Sequence, residues 1–438
     1  MIEPGLGYII PVLKEKFPGG KIIVLHVDKA HYNDNCYNSH CAIPALCSAD
    51  KTKINFFLET EVPDTDTDKI RIIEWRPSMN FYKKEYVNLF SEVVNFLKRT
   101  DAGRRTTKVF GTRWVKNFFN NLEIVKKNIL YRQTNIPVIV TGAGPGLEQS
   151  LEYIAKMQEH CLIIAASSSY MALSSNGIQA DIIIATDGGS WALKHIYPVF
   201  RNSALPFNKN ENIFAVNLCA ALPSQNADTP FLIMNDGSFW QSLILHELGI
   251  PSVIIGQKGT VAACGIELAL LLSSGNVYLA GMDFSINDIR THIKPYAFDC
   301  FFEAQSNRFA PFYSKSFKRS GLLKEGGSLN IYDKWFKTQL QLWPKRIFNI
   351  TEKKPDTHTP LKNTKEIFKT KNINSSNTFS KRAKETLFSA LNNPKYADNV
   401  TRELAALLLP DFESSDETKN ALRKTLKNLF EDWERDKQ

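Results

Sequence analysis

The chain has no C-x-x-C pair, no G-x-x-x-x-G-K-[ST] and no G-x-G-x-x-G. The second absence rules out a P-loop, and the third removes the usual dinucleotide fingerprint. Its seven cysteines are an odd number. Cys36, Cys41 and Cys47 lie near His31 and His40, but their spacings fit no common zinc module, so reduced thiols and no metal are expected. No apolar run is long enough to span a bilayer, and one of the longest, 261–272, is interrupted by polar residues. The opening MIEPGLGYIIPVL lacks both a basic n-region and a small-residue cleavage site, which points to a cytoplasmic protein.

What is present is ample for a folded core: 438 residues, 43% hydrophobic, suggest two or three domains. The net charge of +9 suits phosphorylated or acidic partners, or an anionic surface. A solvated charged surface accounts for the basic stretch near 351–380 without a nucleic acid partner.

Residues 136–152, IPVIVTGAGPGLEQSLE, are the most informative stretch. A β-branched run stops at a glycine-proline loop, and a helix is expected from Leu147. Unpaired N–H groups and the dipole at such a helix start favour a phosphate. Gly142, Gly144 and Gly146 permit close backbone approach, and Pro145 pre-sets the turn. The alternative is a tight turn that binds nothing. The following strand, 161–166, ends in Ser167-Ser168-Ser169, where an NAD site would usually carry a carboxylate, so NAD is disfavoured.

The pattern along the chain divides it into 1–130, a smaller α/β domain; 131–300, a central Rossmann-like domain; 301–350, its extension; 351–380, a linker; and 381–438, a helical region. In the first, 21–27, 54–61 and 69–75 read as strands, and 84–98 and 112–125 as amphipathic helices. Gly5-Leu6-Gly7 precede the first strand and read as a structural turn, since no strand comes before them in this chain. In the second, strands at 136–141, 161–166, 181–186, 213–217, 230–234, 252–255 and 276–281 alternate with helices at 147–158, 238–248 and 260–273. That alternation predicts a parallel sheet with helices on both faces and a ligand crevice at the carboxyl ends of its strands.

The strand ends carry Ser167, Thr186-Asp187-Gly188-Gly189, Asn217, Asn235-Asp236, the 256–260 loop and Gly281-Met282-Asp283. Asp187 and Asp283 suit a metal, hydroxyl recognition or general-base work, or else cap the next turn. Neither stands in a D-x-D pair. His292 follows the last central strand, where a lid would arise, and is an acid/base candidate; His195 and His246 read as structural.

These segments, AGPGLEQSLE, ADIIIATD, GQKGTVAACGIELALLLSSGNVYLAGMDF and IFNITE, together resemble the Maf motility-associated flagellin glycosyltransferases. The central domain also resembles the MptE-like 6-hydroxymethylpterin diphosphokinases. Gly5-Leu6-Gly7-Tyr8 and Trp114, Asn117 and Asn121-Leu122 extend the Maf resemblance over most of 4–352. It implies transfer of a nonulosonic acid, pseudaminic or legionaminic, from a CMP-activated donor to flagellin Ser or Thr hydroxyls, with no cofactor required. Gly142, Ala143, Gly144, Pro145, Gly146 and Leu147 would receive the CMP phosphate. Ser167, Asn217, Asp187 and Asp283 would line the crevice, with Asp187 and His292 as the catalytic pair. The family loop reads G-P-S-L, so Gly146 forgoes a serine hydrogen bond worth about 0.5–1.5 kcal/mol. The alternatives are an ATP-dependent pterin diphosphokinase, which would need Mg²⁺ held by Asp187, Asp236 and Asp283, and a non-catalytic flagellin-binding factor.

Overall fold

The computed structural model describes residues 1–34, 43–62, 70–201, 212–223, 229–256, 259–325, 328–356, 360–373, 379–409 and 416–435. They form two compact units, Met1–Val109 and Phe110–Gln438.

In the first unit, strands β1 (Val24–His26) and β2 (Ala45–Cys47) pair in parallel. Ile2, ahead of the glycine turn, makes isolated bridges to Leu25 and Glu74. Gly5 and Gly7 take φ of +62° and +83°, which glycine adopts without strain, before helix Ile9–Lys16. The expected strand at 54–61 is instead helix Lys51–Glu61. Asp50 caps it by accepting from the Thr52 and Lys53 N–H groups at 2.8 and 3.4 Å, and Ile54 and Leu58, one turn apart, are both buried. The strand expected at 69–75 is, over 70–75, no more than the bridge at Glu74.

Buried Glu3 accepts from the Val27 and Asp28 N–H groups at 2.6 and 2.9 Å and faces Nδ1 of His26 and of His31 at 3.3 and 3.0 Å. Burial raises its carboxyl, but the bonds from His26, Asp28 and Val27 outweigh that and hold it below the usual range. His31 therefore serves this buried carboxylate. Cys36, His40 and Cys41 lie outside the described residues, as do Gln257, Lys258, Gly326 and Gly327. Among the described residues no three His, Cys, Asp or Glu side chains are grouped as metal ligands.

The two helices expected at 84–98 and 112–125 are one, Lys83–Ile124. The polar stretch between them contains no proline to break it. At Gly111 the absent Cβ makes room for the Leu407 carbonyl.

The second unit is built on a ten-stranded sheet. Its strands are β3 (Lys127–Tyr131), β4 (Val138–Thr141), β5 (Leu162–Ala166), β6 (Ile182–Ala185), β7 (Ile213–Asn217), β8 (Pro230–Asn235), β9 (Val253–Ile254), β10 (Val277–Ala280), β11 (Ile347–Asn349) and β12 (Phe368–Asn372). The order is β11-β10-β4-β5-β6-β7-β8-β3-β12, with β9 against β8. Every pair is parallel except β12 with β3.

Alternate strand residues enter different cores, as a sheet covered on both faces requires. Ile139, Ile163, Ile183 and Phe214 pack with Phe118, Trp240 and the C-terminal helices Phe379–Asn392, Ala397–Leu408 and Asp416–Arg435. Val140, Ile164, Ile184 and Ala215 pack with helix Val261–Leu272 and Phe336. Gly265 permits that helix to sit close, since a Cβ there would be 3.0 Å from Val140 Cγ1.

Part of the expected 351–380 linker is structured: helix Thr364–Ile367 leads into β12. Ile367 and Phe368 are buried while the rest of the strand is exposed, and its lysines suit a sheet edge. Lys362 pairs with Asp181 at 2.7 Å and donates to the Cys161 carbonyl at 3.1 Å. Low hydrophobic content here reflects an edge position. No helix among the described residues is long and apolar enough to cross a membrane.

Candidate functional site

The chain runs from β4 outward through β5, β6, β7 and β8, then returns to place β10 on the other side of β4. The β4/β10 boundary is therefore a topological switch point, where open α/β sheets place ligands. The glycine loop emerges from β4 at this point. Gly142 N–H donates to the Ala280 carbonyl and Gly144 N–H to the Gly281 carbonyl, both at 2.8 Å. Gly146 N–H donates to Asp283 Oδ2 at 3.2 Å, and Leu147 N–H to the Gly144 carbonyl at 3.1 Å. The donors that sequence reasoning leaves unpaired are thus engaged within the protein. The helix expected from Leu147 is a 3₁₀ turn, Pro145–Ser150, with α-helix only from Leu151 to Met157. The glycines serve the approach of β10: a Cβ on Gly142 would lie 2.6 Å from the Gly281 carbonyl. One on Gly146 would lie 3.0 Å from Asp283 Oδ1, so Asp283 crowds the place of the serine of G-P-S-L.

Above this junction lies a cavity of about 440 Å³. Pro145, Gly146, Glu148 and Gln149 form one wall; Asp283, Ser285 and Asn287 form a second; Asn349, at the end of β11, and Thr351 beyond it complete it. Asp283 Oδ2 also accepts from the Ser285 hydroxyl at 2.9 Å. The described lining holds two carboxylates, amides and hydroxyls and no cation, a set of donors and acceptors that can hydrogen-bond hydroxyl groups. Glu148, Gln149, Ser285, Asn287, Asn349 and Thr351 were not singled out from sequence. The IFNITE segment held the signal for Asn349 and Thr351.

The expected residues fall in two places. The 142–147 loop, Asp283 and the His292 segment come together, the last through Ile293 N–H donating to the Ala143 carbonyl at 2.9 Å. Asp187 lies two residues past β6 and Asn217 ends β7, strands that stand two and three spacings from β4, or about 10 and 14 Å. Asp187 is exposed and Oδ1 accepts from Gly189 N–H at 2.7 Å. Asn217 Oδ1 accepts from Cys219 N–H at 2.8 Å. Buried Ser167, after β5, lies between, its N–H donating to the Ile184 carbonyl at 3.0 Å. Helix Lys83–Ile124 holds these far loops. Asn117 Nδ2 donates to the Gly188 and Cys219 carbonyls at 3.2 and 3.0 Å. Asn121 Nδ2 donates to those of Leu218 and Ala220 at 2.7 and 2.8 Å. At Gly188 a Cβ would collide with Trp114.

His292 stacks on Tyr296 at 4.1 Å, and its Nδ1 is 2.8 Å from Thr291 Oγ1. Burial, then the Arg319 charge and His195, push it down to about 3. The ring is neutral at neutral pH, and the same burial and Arg319 charge make it a weak base. His195 lies 5.1 Å from both Tyr296 and Phe298, its buried Nδ1 without a hydrogen-bond partner among the described residues. Arg319, which sequence reasoning missed, centres this aromatic group: its guanidinium is 5.5 Å from the rings of Tyr296, Phe298 and Phe302.

Residues 112–288 match the 6-hydroxymethylpterin diphosphokinase MptE-like family. The structure of a Maf glycosyltransferase from Magnetospirillum magneticum AMB-1 superposes with a TM-score of 0.53 at 11% identity, covering 99% of this chain and 77% of that one. The fold is Maf-like. An uncharacterised protein of Treponema pallidum (strain Nichols) is 26% identical over 323 residues, 73% of this chain and 68% of that protein. A second from the same organism is 28% identical over 109 residues, 24% of this chain and 49% of its own length. The MptE-like match takes in the glycine loop, Asp187, Asn217 and Asp283, and ends before His292 and Arg319.

Proposed function

We propose that this chain is a cytoplasmic glycosyltransferase that moves a nonulosonic acid, pseudaminic or legionaminic in type, from a CMP-activated donor to Ser or Thr hydroxyls of flagellin. The observation that carries the reading is the cavity lined by carboxylates, amides and hydroxyls at the β4/β10 switch point of a Maf-like fold. A polyhydroxylated sugar matches its carboxylates, amides and hydroxyls. In this reading Asp283 Oδ1 accepts from a sugar hydroxyl, the loop from Gly142 to Leu147 forms the floor under the donor, and Ser167, Asp187 and Asn217 line the crevice beyond. His292, with Nδ1–H donated to Thr291, takes the acceptor proton at Nε2 as the acceptor oxygen bonds the anomeric carbon and CMP departs, a role that requires the donor's negative charge to offset Arg319 and raise the ring's basicity.

The MptE-like match favours a second reading, pyrophosphate transfer from ATP to a pterin. Its chemistry calls for clustered carboxylates. Asp283, Asp187 and Asp236 follow β10, β6 and β8, and those strands stand three spacings, about 14 Å, and then two more apart. That separation supports the transferase. Intact-mass measurement of flagellin after incubation with CMP-pseudaminic or CMP-legionaminic acid tests it. A gain of one sugar mass is expected. No gain, together with ATP- and Mg²⁺-dependent formation of a pterin diphosphate, would move the assignment to the second reading.

A further inference from the structure

The 440 Å³ cavity carries no cation, and the N–H groups of Gly142, Gly144, Gly146 and Leu147 are engaged. An anionic ligand therefore needs its countercharge elsewhere. A separate cavity of about 60 Å³ lies beside the segment that follows β10 and contains it. Its lining includes Arg290, Lys294 and Arg319, with His292, Ser316 and one carboxylate, Asp299. Arg290 pairs with Glu148, which lines the larger cavity, at 3.2 Å, so one ion pair joins the two.

Arg319 is held in place by rings. Besides its three aromatic neighbours it donates one hydrogen bond, to Tyr296 Oη at 3.4 Å, and forms no ion pair among the described residues. A guanidinium has five N–H donors in a rigid fork that matches an oxyanion, so most of its capacity is unused. Lys294 Nζ lies 4.9 Å from the Phe312 ring, with no carboxylate partner among the described residues. Asp299 accepts from Tyr296 N–H at 3.2 Å and feels the charges of Lys294 and Arg319 without forming an ion pair with either among the described residues. The volume is enough for one small oxyanion.

We propose that Arg319, with Lys294 and Ser316, forms an oxyanion subsite that takes the charged group of a ligand whose hydroxyls occupy the neighbouring cavity. In naming a donor's charged end, it rests on the transferase reading. The group is a phosphate or a sugar carboxylate, which share this chemistry.

The test uses the full chain and ³¹P line broadening of inorganic phosphate. The wild type should broaden the signal, Arg319→Gln should lose at least ten-fold in apparent affinity, and exposed Lys294→Met about three-fold. Arg319→Gln removes a packed side chain, so Lys294→Met guards against a loss caused by unfolding. Calorimetry then identifies the source. Loss of CMP binding in Arg319→Gln with cytidine unaffected assigns a phosphate. Loss of N-acetylneuraminate binding with its methyl ester unaffected assigns a carboxylate. Phosphate binding that depends on Arg319, in a protein that binds neither CMP nor the acidic sugar, keeps the subsite and removes the transferase reading. No broadening by the wild type, or equal broadening by all three proteins, overturns the subsite.

Discussion

The Asp283 carboxylate, in the segment after β10, accepts the N–H of Gly146, in the loop after β4, at 3.2 Å. The glycine loop is thereby a clamp between two strands as well as the floor of the cavity. Gly142→Ala should lower stability by roughly 1–3 kcal/mol, because its Cβ meets the Gly281 carbonyl and the backbone must shift. Gly321, inside helix Phe312–Glu325 with open space around it, is the control, and Gly321→Ala should be stabilising by about 0.5–1 kcal/mol. Urea denaturation of both variants checks this; an unchanged midpoint for Gly142→Ala would refute the clamp.

Lys362 and Asp181 are each largely buried, at 11% and 12% side-chain exposure. Removing the lysine strands a carboxylate that burial already pushes up. Lys362→Met should cost about 3–5 kcal/mol, and adding Asp181→Leu should recover much of it. A double variant as unstable as the single one would contradict this account.

Asn121 is 3% exposed and donates to two carbonyls of the loop after β7. Asn121→Ala should cost about 1–3 kcal/mol and loosen that loop. Hydrogen exchange should rise over 218–221 more than elsewhere, whereas a uniform rise would deny the local role.

Much of the second unit was legible because its strands are short apolar runs buried on both faces. The polar ends of the strands were legible too, since polar and glycine residues follow β4, β6, β7 and β10 in the sequence. What was hidden depends on partners remote in sequence. Gly146 reads as an anion donor until Asp283, brought up by β10, is seen to occupy it. Helix Lys51–Glu61 was misread because Ile54, Phe56 and Leu58 also alternate as a strand would. Strand β12 was hidden because an edge strand buries little and its lysines lower the hydrophobic content. Arg319 gave no signal, because only the fold brings it to Tyr296 and His292.

His195 and His292 are held neutral, at about 4 and about 3, by burial first and the Arg319 charge second. Their folded values lie below the unfolded value of about 6.5. The stability linked to the neutral rings is complete above pH about 6.5 and is lost as pH falls toward 4 and 3. The loss approaches about 1.4 kcal/mol per pH unit per histidine. Thermal denaturation should show the melting temperature falling from pH 7 to pH 5, with a shallower fall in His195→Phe. Equal slopes in the two proteins would contradict the assignment.

The most direct test of the account is calorimetric titration of a CMP-activated nonulosonic acid into the wild type and into Asp283→Asn, a change that keeps an acceptor for Gly146 N–H. The account predicts binding without divalent metal that weakens at least ten-fold in the variant. Equal binding by both proteins, or binding of ATP with Mg²⁺ in place of the CMP sugar, would contradict it.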